Sequence, residues 1–408
     1  MESIFNMRRQ KLIISVIVML FAGIIYAWSI LKTPFVFGNN FTQLGLTYTI
    51  ALTFFCIGSV LSGLISKQST SSLRLVLSAM LMFSGFFLSS FLIVPLRTTN
   101  NYTLLYMAYG VLGGMGMGMA YNTIISTMNM WYPDKRGFCS GLLITGFGLS
   151  ALLLGRLLNA MGNSEAFGWN DTYIILAVTM GVVFIVAAAL IKPPPRGASF
   201  PKPKKSKDKN QSVEPKDYTT SQMIKKPVFI LIFIYATFLT ATGSAAISFA
   251  GDIIKDVGAK GDVPVTIIGV IGVFNGIGRL TSGYMFDNIG IKKTQLISST
   301  LAIIAPSTLV LALTSSSIPL GIAGLCLCGL SFGFAPTTCS VFASEYFGVK
   351  HFPLNFGILA LILVPASFAS ALTGSIRADT GEFTMAFIIM AALALVGFVV
   401  NLGIKKPK

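Results

Sequence analysis

The chain has 408 residues, of which 54% are hydrophobic and 11% are charged, and its formal net charge is +16. Because a soluble domain carries roughly 25% charged residues, this composition excludes a soluble protein and predicts that most of the chain lies in lipid. The five cysteines lie within or beside apolar stretches at spacings that match no zinc motif, which indicates buried structural side chains.

Twelve apolar runs follow one another along the chain, and each is long enough for a spanning helix of about 20 residues. They fall at about 11–32, 47–66, 72–95, 102–130, 137–160, 170–191, 227–251, 263–286, 293–314, 318–343, 353–376 and 384–404. The first run has the basic start of a secretory signal peptide, but no convincing small-residue cleavage site follows it. The sequence therefore predicts an all-α membrane protein with twelve transmembrane helices.

The basic residues are concentrated on one side of these runs. An even number of spans puts both termini on the same side, where 23 of the 30 Lys and Arg residues lie, whereas six lie on the other side. The positive-inside rule therefore places both termini in the cytoplasm, with the protein in the cell (inner) membrane. A basic excess of this kind marks topology and contact with anionic lipid headgroups in the bilayer, and it argues against nucleic acid as a partner.

A basic, proline-rich segment interrupts the membrane pattern at the middle of the chain. It contains the sequence KPPPRGASFPKPKKSKDKNQ, which has too few apolar residues to bury a core. We therefore predict a cytoplasmic linker over 193–226. It separates an N-terminal six-helix half, 1–192, from a C-terminal six-helix half, 227–408.

The two halves share a short repeat. GSVLSG at 58–63 recurs as GRLTSG at 278–283, and both copies lie in the second run of their half. Two related six-helix halves are a common transporter design, with substrate held at the midplane between them. Arg279 breaks this repeat, because its counterpart in the first half is Ser59.

The stretch after Arg279 resembles the cytoplasmic-loop signature of the major facilitator superfamily. It reads G-R-L-x-S-G-x-x-x-D-x-x-G-x-K-K and includes Asp287, Lys292 and Lys293. In a structural interpretation, Asp287 caps or pairs near a helix end and the lysines meet headgroups. The resemblance implies a gating role for all three residues, with the loop latching one conformation. The first-half copy has Lys67 at the position of Asp287.

Arg279 lies inside an apolar run, where a charge costs at least about 2.5–3.5 kcal/mol on insertion scales. A guanidinium keeps its charge at physiological pH, so it needs water, a buried acid or an anion. No Asp or Glu lies well inside any run, and Asp287 is eight positions further along, about 12 Å along a helix. We therefore predict that Arg279 binds a substrate carboxylate through two parallel hydrogen bonds. The alternative is that Arg279 snorkels or pairs with helix-end carbonyl groups.

Other polar or aromatic side chains are predicted to line the same cavity. They are Tyr26 and Trp28 in the first run, Tyr121 and Asn122 in the fourth, Asn275 in the eighth and Asn355 in the eleventh. Asn275 precedes Arg279 by one helical turn and so shares its face. For the aromatic residues, an interfacial or packing role remains an equal alternative. The residues that catalyse reactions or hold metals form no recognisable motif, so the sequence predicts neither an enzyme nor a cofactor.

Several motifs together resemble the oxalate/formate antiporter family, which lies beside the monocarboxylate transporters in the major facilitator superfamily. The motifs are GIIYAWSILKTP (23–34), GMGMAY (116–121), MWYPDKRGFCSG (130–141), NGIGR (275–279), EYFG (345–348) and NFGIL (355–359). This resemblance implies transport of small carboxylates by alternating access. It also implies that Arg279 binds the carboxylate and that Tyr26 and Tyr121 close around it.

Two positions depart from what the resemblance implies. Leu363 stands where an oxalate transporter is expected to carry a second cation, and Asn275 stands where proton-coupled monocarboxylate transporters carry an aspartate. One cation balances one carboxylate, so we expect a monocarboxylate such as formate, lactate or pyruvate. Anion exchange by a monomer is the leading expectation. A proton-coupled symporter and an oxalate/formate exchanger remain alternatives.

Overall fold

The computed structural model describes residues 2–36, 41–96, 101–195, 197–198, 200, 217–261 and 263–407, and every regular element in these ranges is helical. Residues 196, 199 and 201–216 of the predicted linker lie outside them. The long helices are α1 (Glu2–Ala22), α2 (Phe41–Leu64), α3 (Ser71–Leu92), α4 (Gly114–Trp131), α5a (Arg136–Gly148), α5b (Ser150–Gly162), α6 (Gly168–Leu190), α7 (Pro227–Ser248), α8 (Val263–Ile289), α9 (Ile291–Ser315), α10 (Ile318–Glu345), α11a (Phe352–Ala360), α11b (Leu363–Thr380) and α12 (Thr384–Gly403).

The helices have the length and composition that a bilayer requires. Within the described ranges, ten helical stretches are long and apolar enough to cross a membrane. Large apolar side chains such as Leu311, Phe368 and Val399 are exposed along them, as expected where lipid is the solvent. Helices satisfy their backbone hydrogen bonds internally, which lipid requires. Because α4 and α8 are not among the ten, the count of twelve spans stays a prediction.

Two of the predicted runs, each expected to form one continuous helix, are interrupted. The eleventh run breaks at 361–362, between α11a and α11b. Pro365 accounts for this break, since a proline ring clashes with the carbonyl group four positions earlier, here that of Leu361. The fifth run breaks at Leu149, between α5a and α5b, next to Gly148. In addition, a π-helical segment, Tyr106–Gly113, precedes α4.

The chain forms two compact units. Unit 1 comprises Met1–Pro133, Gly146–Pro201 and Phe356–Ile358, and unit 2 comprises Asp134–Thr145, Lys202–Asn355 and Leu359–Lys408. Most of α5a therefore packs within unit 2, and a short part of α11a packs within unit 1. The predicted division into two halves around a linker is not the same partition, and it stays a prediction.

The same helix packing occurs in both units. In unit 1, a Cβ atom on Gly58 would overlap the carbonyl oxygen of Met115 in the neighbouring α4. In unit 2, a Cβ atom on Gly278, the repeat counterpart of Gly58, would overlap the carbonyl oxygen of Leu330 in α10. The helices α2 and α4 therefore correspond to α8 and α10. Glycine lets these backbones touch, as small residues do in membrane helices.

A second matched contact extends this repeat toward the arginine. The backbone of α4 at Gly118 meets the carbonyl oxygen of Phe55, and the backbone of α10 at Gly333 meets that of Asn275. Phe55 precedes Gly58 by three positions in α2, and Asn275 precedes Gly278 by three positions in α8. Phe55 is therefore the structural counterpart of Asn275, as Ser59 is of Arg279.

We expect Gly118→Ala to destabilise the protein strongly, because the added methyl group would overlap the Phe55 carbonyl oxygen. Overpacking of this kind typically costs about 1–3 kcal/mol. The matched control is Gly269→Ala in α8, where an added Cβ would meet no atom within 4 Å and should gain up to about 1 kcal/mol in helix propensity. Thermal unfolding of the purified proteins in detergent measures both changes. Equal melting temperatures for the two variants would contradict this packing.

Candidate carboxylate site and helix latch

Arg279 lies on α8 within unit 2 and is fully buried, with 0% of its surface exposed. Its Nε donates a hydrogen bond of 3.0 Å to Oδ1 of Asn275, one turn earlier on the same helix. The spacing of four positions puts the two side chains on one face. Asn275 is half-buried. A neutral amide therefore orients a guanidinium that keeps its positive charge.

The guanidinium also contacts α5a. Nη1 of Arg279 donates a hydrogen bond to the backbone carbonyl oxygen of Ile144, and both residues belong to unit 2. The sequence left open that Arg279 pairs with helix-end carbonyl groups, and this contact to the carbonyl group of Ile144 is of that kind. A carbonyl oxygen is also the kind of acceptor that a carboxylate would offer.

Glycines hold the backbone of Arg279 close to two other helices. A Cβ atom on Gly141 of α5a would lie 2.5 Å from the carbonyl oxygen of Arg279, and one on Gly333 of α10 would lie 2.9 Å from its backbone nitrogen. Thr145 adds a hydrogen bond of 3.2 Å from its Oγ1 to the carbonyl oxygen of Gly276. The backbone from which the guanidinium extends is thus held by packing on both sides of α8.

Asp287, which follows the predicted run 263–286, joins the end of α8 to the start of α5a. Its carboxylate oxygens accept hydrogen bonds from the backbone N–H groups of Gly137 (3.1 Å) and Phe138 (2.7 Å). These N–H groups belong to the first turn of α5a, where the helix dipole favours a negative charge. The aspartate therefore acts as a cap for a helix that lies about 150 positions earlier in the chain.

Burial raises the pKa of the Asp287 carboxyl to about 6, although the two backbone hydrogen bonds act in the opposite direction. The nearby Glu345 and Asp134 raise this pKa further. Glu345 is itself paired with Arg136 of α5a, with 3.1 Å between Oε1 and Nη1. The start of α5a is therefore held by an aspartate cap and by an ion pair to the end of α10.

The two lysines of the same loop differ in their surroundings. Nζ of Lys292 lies 3.3 Å from the carbonyl oxygens of both Asn401 and Leu402, at the end of α12. A cation there complements the negative end of the helix dipole. Lys293 is exposed. The gating roles predicted for Asp287, Lys292 and Lys293 stay predictions.

The aromatic candidates of unit 1 meet in one cluster of rings. Phe147 stacks edge-on against Tyr26, with ring centroids 5.3 Å apart, and also against Tyr121, at 5.0 Å. Phe55 and Phe356 complete the cluster, with their ring centroids 5.2 Å and 5.8 Å from that of Tyr121. Tyr26 and Tyr121 are therefore brought together through Phe147, as part of an aromatic cluster within unit 1.

The other two candidates of unit 1 are held by hydrogen bonds within that unit. Nε1 of Trp28 donates to the carbonyl oxygen of Leu44 at 3.1 Å, and its ring packs on Tyr109. Nδ2 of Asn122 lies 2.9 Å from the carbonyl oxygen and 3.0 Å from the hydroxyl of Ser59. Both contacts support helix packing, and the substrate-binding roles of Trp28 and Asn122 stay predictions.

The two candidates on the eleventh run also have distinct surroundings. Asn355 is fully buried in α11a, where its Oδ1 accepts from Thr220 at 2.7 Å and its Nδ2 donates to the carbonyl oxygen of Tyr218 at 3.1 Å. It therefore anchors the segment that precedes α7. Leu363 is half-buried and begins α11b, directly after the break. A substrate contact for either residue stays a prediction.

Several residues that shape these sites were not predicted from the sequence. Phe55 could have been found from the repeat, since it stands before GSVLSG where Asn275 stands before GRLTSG. Phe356 is part of the quoted NFGIL motif. Phe147 and the Ile144 carbonyl group carry no such signal, because they depend on how α5a packs.

The sequence matches the Major Facilitator Superfamily over residues 12–362 and 236–408. The chain therefore belongs to the Major Facilitator Superfamily, and it is a multi-pass membrane protein. The predicted fold is also confirmed by solved structures. A proton:xylose symporter, XylE, superimposes with a TM-score of 0.75 at 16% identity, over 99% of this chain and 96% of that one. A bacterial homologue of the iron transporter ferroportin gives 0.71 at 14% identity, over 97% and 98%.

Curated relatives confirm the resemblance inferred from the motifs. An oxalate:formate antiporter of Oxalobacter formigenes is 26% identical over 72% of this chain and 68% of its own length. Monocarboxylate transporter 12 of Rattus norvegicus is 22% identical over 91% and 79%. The MFS-type transporter YhjX of Escherichia coli is 25% identical over 88% and 85%. These relatives are named as transporters, in agreement with the prediction that the chain is not an enzyme.

We expect Asp287→Asn to loosen the start of α5a, because an amide is a weaker acceptor than a carboxylate for the N–H groups of Gly137 and Phe138. The native thiol of Cys139, fully buried beside them, reports this change. Its labelling by a maleimide, located by peptide mass spectrometry, should be faster in the variant at pH 7. In the wild type, labelling should fall as the pH falls through about 6, because a carboxyl whose pKa is raised by burial binds a proton more tightly in the closed structure than in the opened one, so that protonation favours the closed structure.

Rates in this experiment are divided by those of denatured protein at the same pH, which removes the intrinsic dependence of thiol reactivity. Cys139→Ser, which removes the thiol, shows which part of the maleimide labelling comes from Cys139. Asp252→Asn is the matched control, since that carboxylate is largely exposed. If Asp287→Asn and Asp252→Asn label at the same rate, Asp287 does not hold α5a.

Proposed function

We propose that this protein is a secondary transporter that moves small monocarboxylates, such as formate, lactate or pyruvate, by alternating access in exchange for another anion. The observation that carries the proposal is Arg279. This side chain is fully buried on α8 and is oriented by the neutral amide of Asn275. A permanently charged fork in that setting matches the two oxygens of a carboxylate.

Charge balance favours a monocarboxylate. One arginine compensates one carboxylate, whereas the second charge of oxalate would stay uncompensated in a medium of low dielectric constant. Leu363 supplies no cation at the start of α11b. The names of the relatives, an oxalate:formate antiporter and a monocarboxylate transporter, support small carboxylates as the substrate class.

The contact between Arg279 and the Ile144 carbonyl group fits an exchange mechanism. The oxygen of Ile144 occupies one donor of the guanidinium, and a substrate carboxylate would compete for it. Reorientation with an anion bound is easier than reorientation with a bare charge. Proton symport is the second candidate, with the proton carried by the substrate. It stays a candidate because the relatives include a monocarboxylate transporter.

The topology proposed with this function places the protein in the cell (inner) membrane, with both termini on the cytoplasmic side. In that orientation, Asp287, Arg136 and Glu345 lie at the cytoplasmic ends of the spans. They then act as a latch on α5a that must open when substrate enters or leaves on that side.

We expect Arg279→Gln to abolish carboxylate binding while the helix stays inserted, since removing the charge removes an insertion cost. The loss of a charged hydrogen-bond partner costs about 1.5–3 kcal/mol, which corresponds to at least about tenfold in affinity. Arg279→Lys should also bind more weakly, because it keeps the charge but loses the fork. The measurement is the rise in melting temperature of purified protein in formate, lactate or pyruvate at constant ionic strength.

Arg156→Gln is the matched control for this series, since Arg156 is exposed on α5b. It should respond to carboxylates as the wild type does. If Arg279→Gln is stabilised by the same carboxylate at the same concentrations as the wild type, Arg279 has a packing role and the proposed anion site is wrong.

Exchange and symport make opposite predictions in liposomes. For exchange, uptake of labelled formate should depend on unlabelled formate inside and should be similar with or without a proton gradient. The reason is that no carboxyl group is predicted at the middle of any span. Uptake that requires the gradient and is not stimulated by internal formate would favour the symporter.

Leu363→Lys should raise the affinity for oxalate relative to formate, because a second cation would compensate the second carboxylate. Leu363→Gln, which adds polarity without charge, is the control. Both variants are compared by thermal stabilisation in oxalate and in formate. An unchanged ratio in a well-folded Leu363→Lys protein would contradict either the position of Leu363 or the charge argument.

A further inference from the structure

Another buried arginine, Arg74, belongs to unit 1. Arg74 lies in the first turn of α3, and 6% of its surface is exposed. The helix start is fixed by Thr70, whose Oγ1 accepts from the backbone N–H of Leu73 at 3.2 Å. Because a guanidinium stays charged, its burial requires compensation by acceptors or by negative charge.

The protein atoms around Arg74 supply little of that compensation. Nη1 lies 3.4 Å from the carbonyl oxygen and 3.5 Å from the hydroxyl of Ser62, at the long limit for hydrogen bonds. Nε is buried and has no acceptor among the described residues. The Thr123 hydroxyl donates to the Met119 carbonyl group at 2.7 Å. The Ser62 hydroxyl therefore donates to Thr123 across their 2.8 Å contact.

Negative charge is scarce throughout unit 1. The sequence has no Asp or Glu between Glu2 and Asp134, and the ranges of unit 1 include three acidic residues, Glu2, Glu165 and Asp171. Glu165 lies between α5b and α6 and Asp171 in the first turn of α6, in a region predicted to be on the other side of the membrane from Arg74. Among the described residues, Arg74 forms no ion pair.

The repeat shows that the fold does not require an arginine at this position. The helix α3 begins at Ser71 and α9 begins at Ile291, the same separation as between GSVLSG and GRLTSG, which makes Thr294 the counterpart of Arg74. Thr294 is buried too, and its hydroxyl bonds to the Gly290 carbonyl group at 2.8 Å. In unit 2, the equivalent helix start therefore carries a neutral side chain where unit 1 has Arg74.

We propose that Arg74, with the start of α3, forms a second oxyanion site that binds a phosphate group, supplied either by a phospholipid headgroup or by a free anion. The guanidinium fork offers parallel donors to two oxygens of such a group, and the helix start adds partial positive charge. The site consists of residues of unit 1 and does not include Arg279. The bound phosphate group compensates the positive charge of Arg74 at the predicted cytoplasmic ends of the spans.

The test measures melting temperatures of delipidated protein in a neutral detergent. Inorganic phosphate is titrated at constant ionic strength in one arm, and phosphatidylglycerol is compared with phosphatidylcholine in mixed micelles in the other. A ligand that binds the folded state raises its stability as its concentration exceeds its dissociation constant. We expect the wild type to gain stability in at least one arm, and Arg74→Gln to lose that gain.

Two controls separate this site from other basic groups. Arg9→Gln removes an exposed arginine of α1, and Arg279→Gln removes the proposed transport site; both should keep the response of the wild type. Stabilisation by inorganic phosphate indicates that the ligand is a free anion. Stabilisation by phosphatidylglycerol alone indicates that the ligand is a lipid headgroup. The proposal is overturned if the wild type responds to neither, or if Arg74→Gln responds as the wild type does.

Arg74→Lys keeps the proposal testable if Arg74→Gln does not fold. This variant retains the charge but loses the fork, so it should need at least about tenfold more of the ligand for the same stabilisation. An unchanged midpoint in Arg74→Lys would contradict recognition by the guanidinium.

Discussion

The close approach of α8 to α10 and to α5a is the constraint on which the rest of unit 2 depends. Glycines at 141 and 333 leave no room for a side chain against the backbone of Arg279. With the backbone held on both sides, the long arginine side chain has few ways to leave the buried face of α8. Asn275 restricts it further through Nε. A cation that water would otherwise hydrate is thus fixed in position before any substrate arrives, which reduces the entropy that binding must overcome.

The internal repeat places different side chains on the same helix packing in the two units. The helix pairs α2–α4 and α8–α10 pack through equivalent glycines. In unit 2, the equivalent positions on α8 carry Asn275 and Arg279, and in unit 1 they carry Phe55 and Ser59. Phe55 joins a cluster of rings with Tyr121 and Phe147, and Ser59 accepts from Asn122. Unit 1 therefore holds a cluster of buried rings at the positions where unit 2 holds a buried cation, while the glycine contacts between the helices are equivalent.

Much of the fold followed from the sequence because lipid imposes simple rules on composition. Apolar runs predicted the helices, and the recurrence of GSVLSG as GRLTSG predicted the correspondence that the glycine contacts display. The breaks at Leu149 and at 361–362 were missed, although Pro365 carried a usable signal for the second. The contact from Arg279 to the Ile144 carbonyl group could not be predicted, since it depends on the packing of a helix 135 positions away in the chain. The hydrogen bonds of Asn355 to Tyr218 and Thr220 were hidden for the same reason.

The contacts of α5a suggest how binding and gating are connected in the proposed mechanism. The same short helix is capped by Asp287 at its first turn and accepts a hydrogen bond from Arg279 near its last turn, through the Ile144 carbonyl group. Both of these restraining side chains lie on α8, about two turns apart. A carboxylate that takes over the Arg279 fork removes one of these attachments and leaves the aspartate cap and the hydrogen bond from Thr145 to the Gly276 carbonyl oxygen. Substrate binding would then weaken the hold of α8 on α5a without touching Asp287, so that occupancy of the buried arginine and release of the latch become parts of one equilibrium.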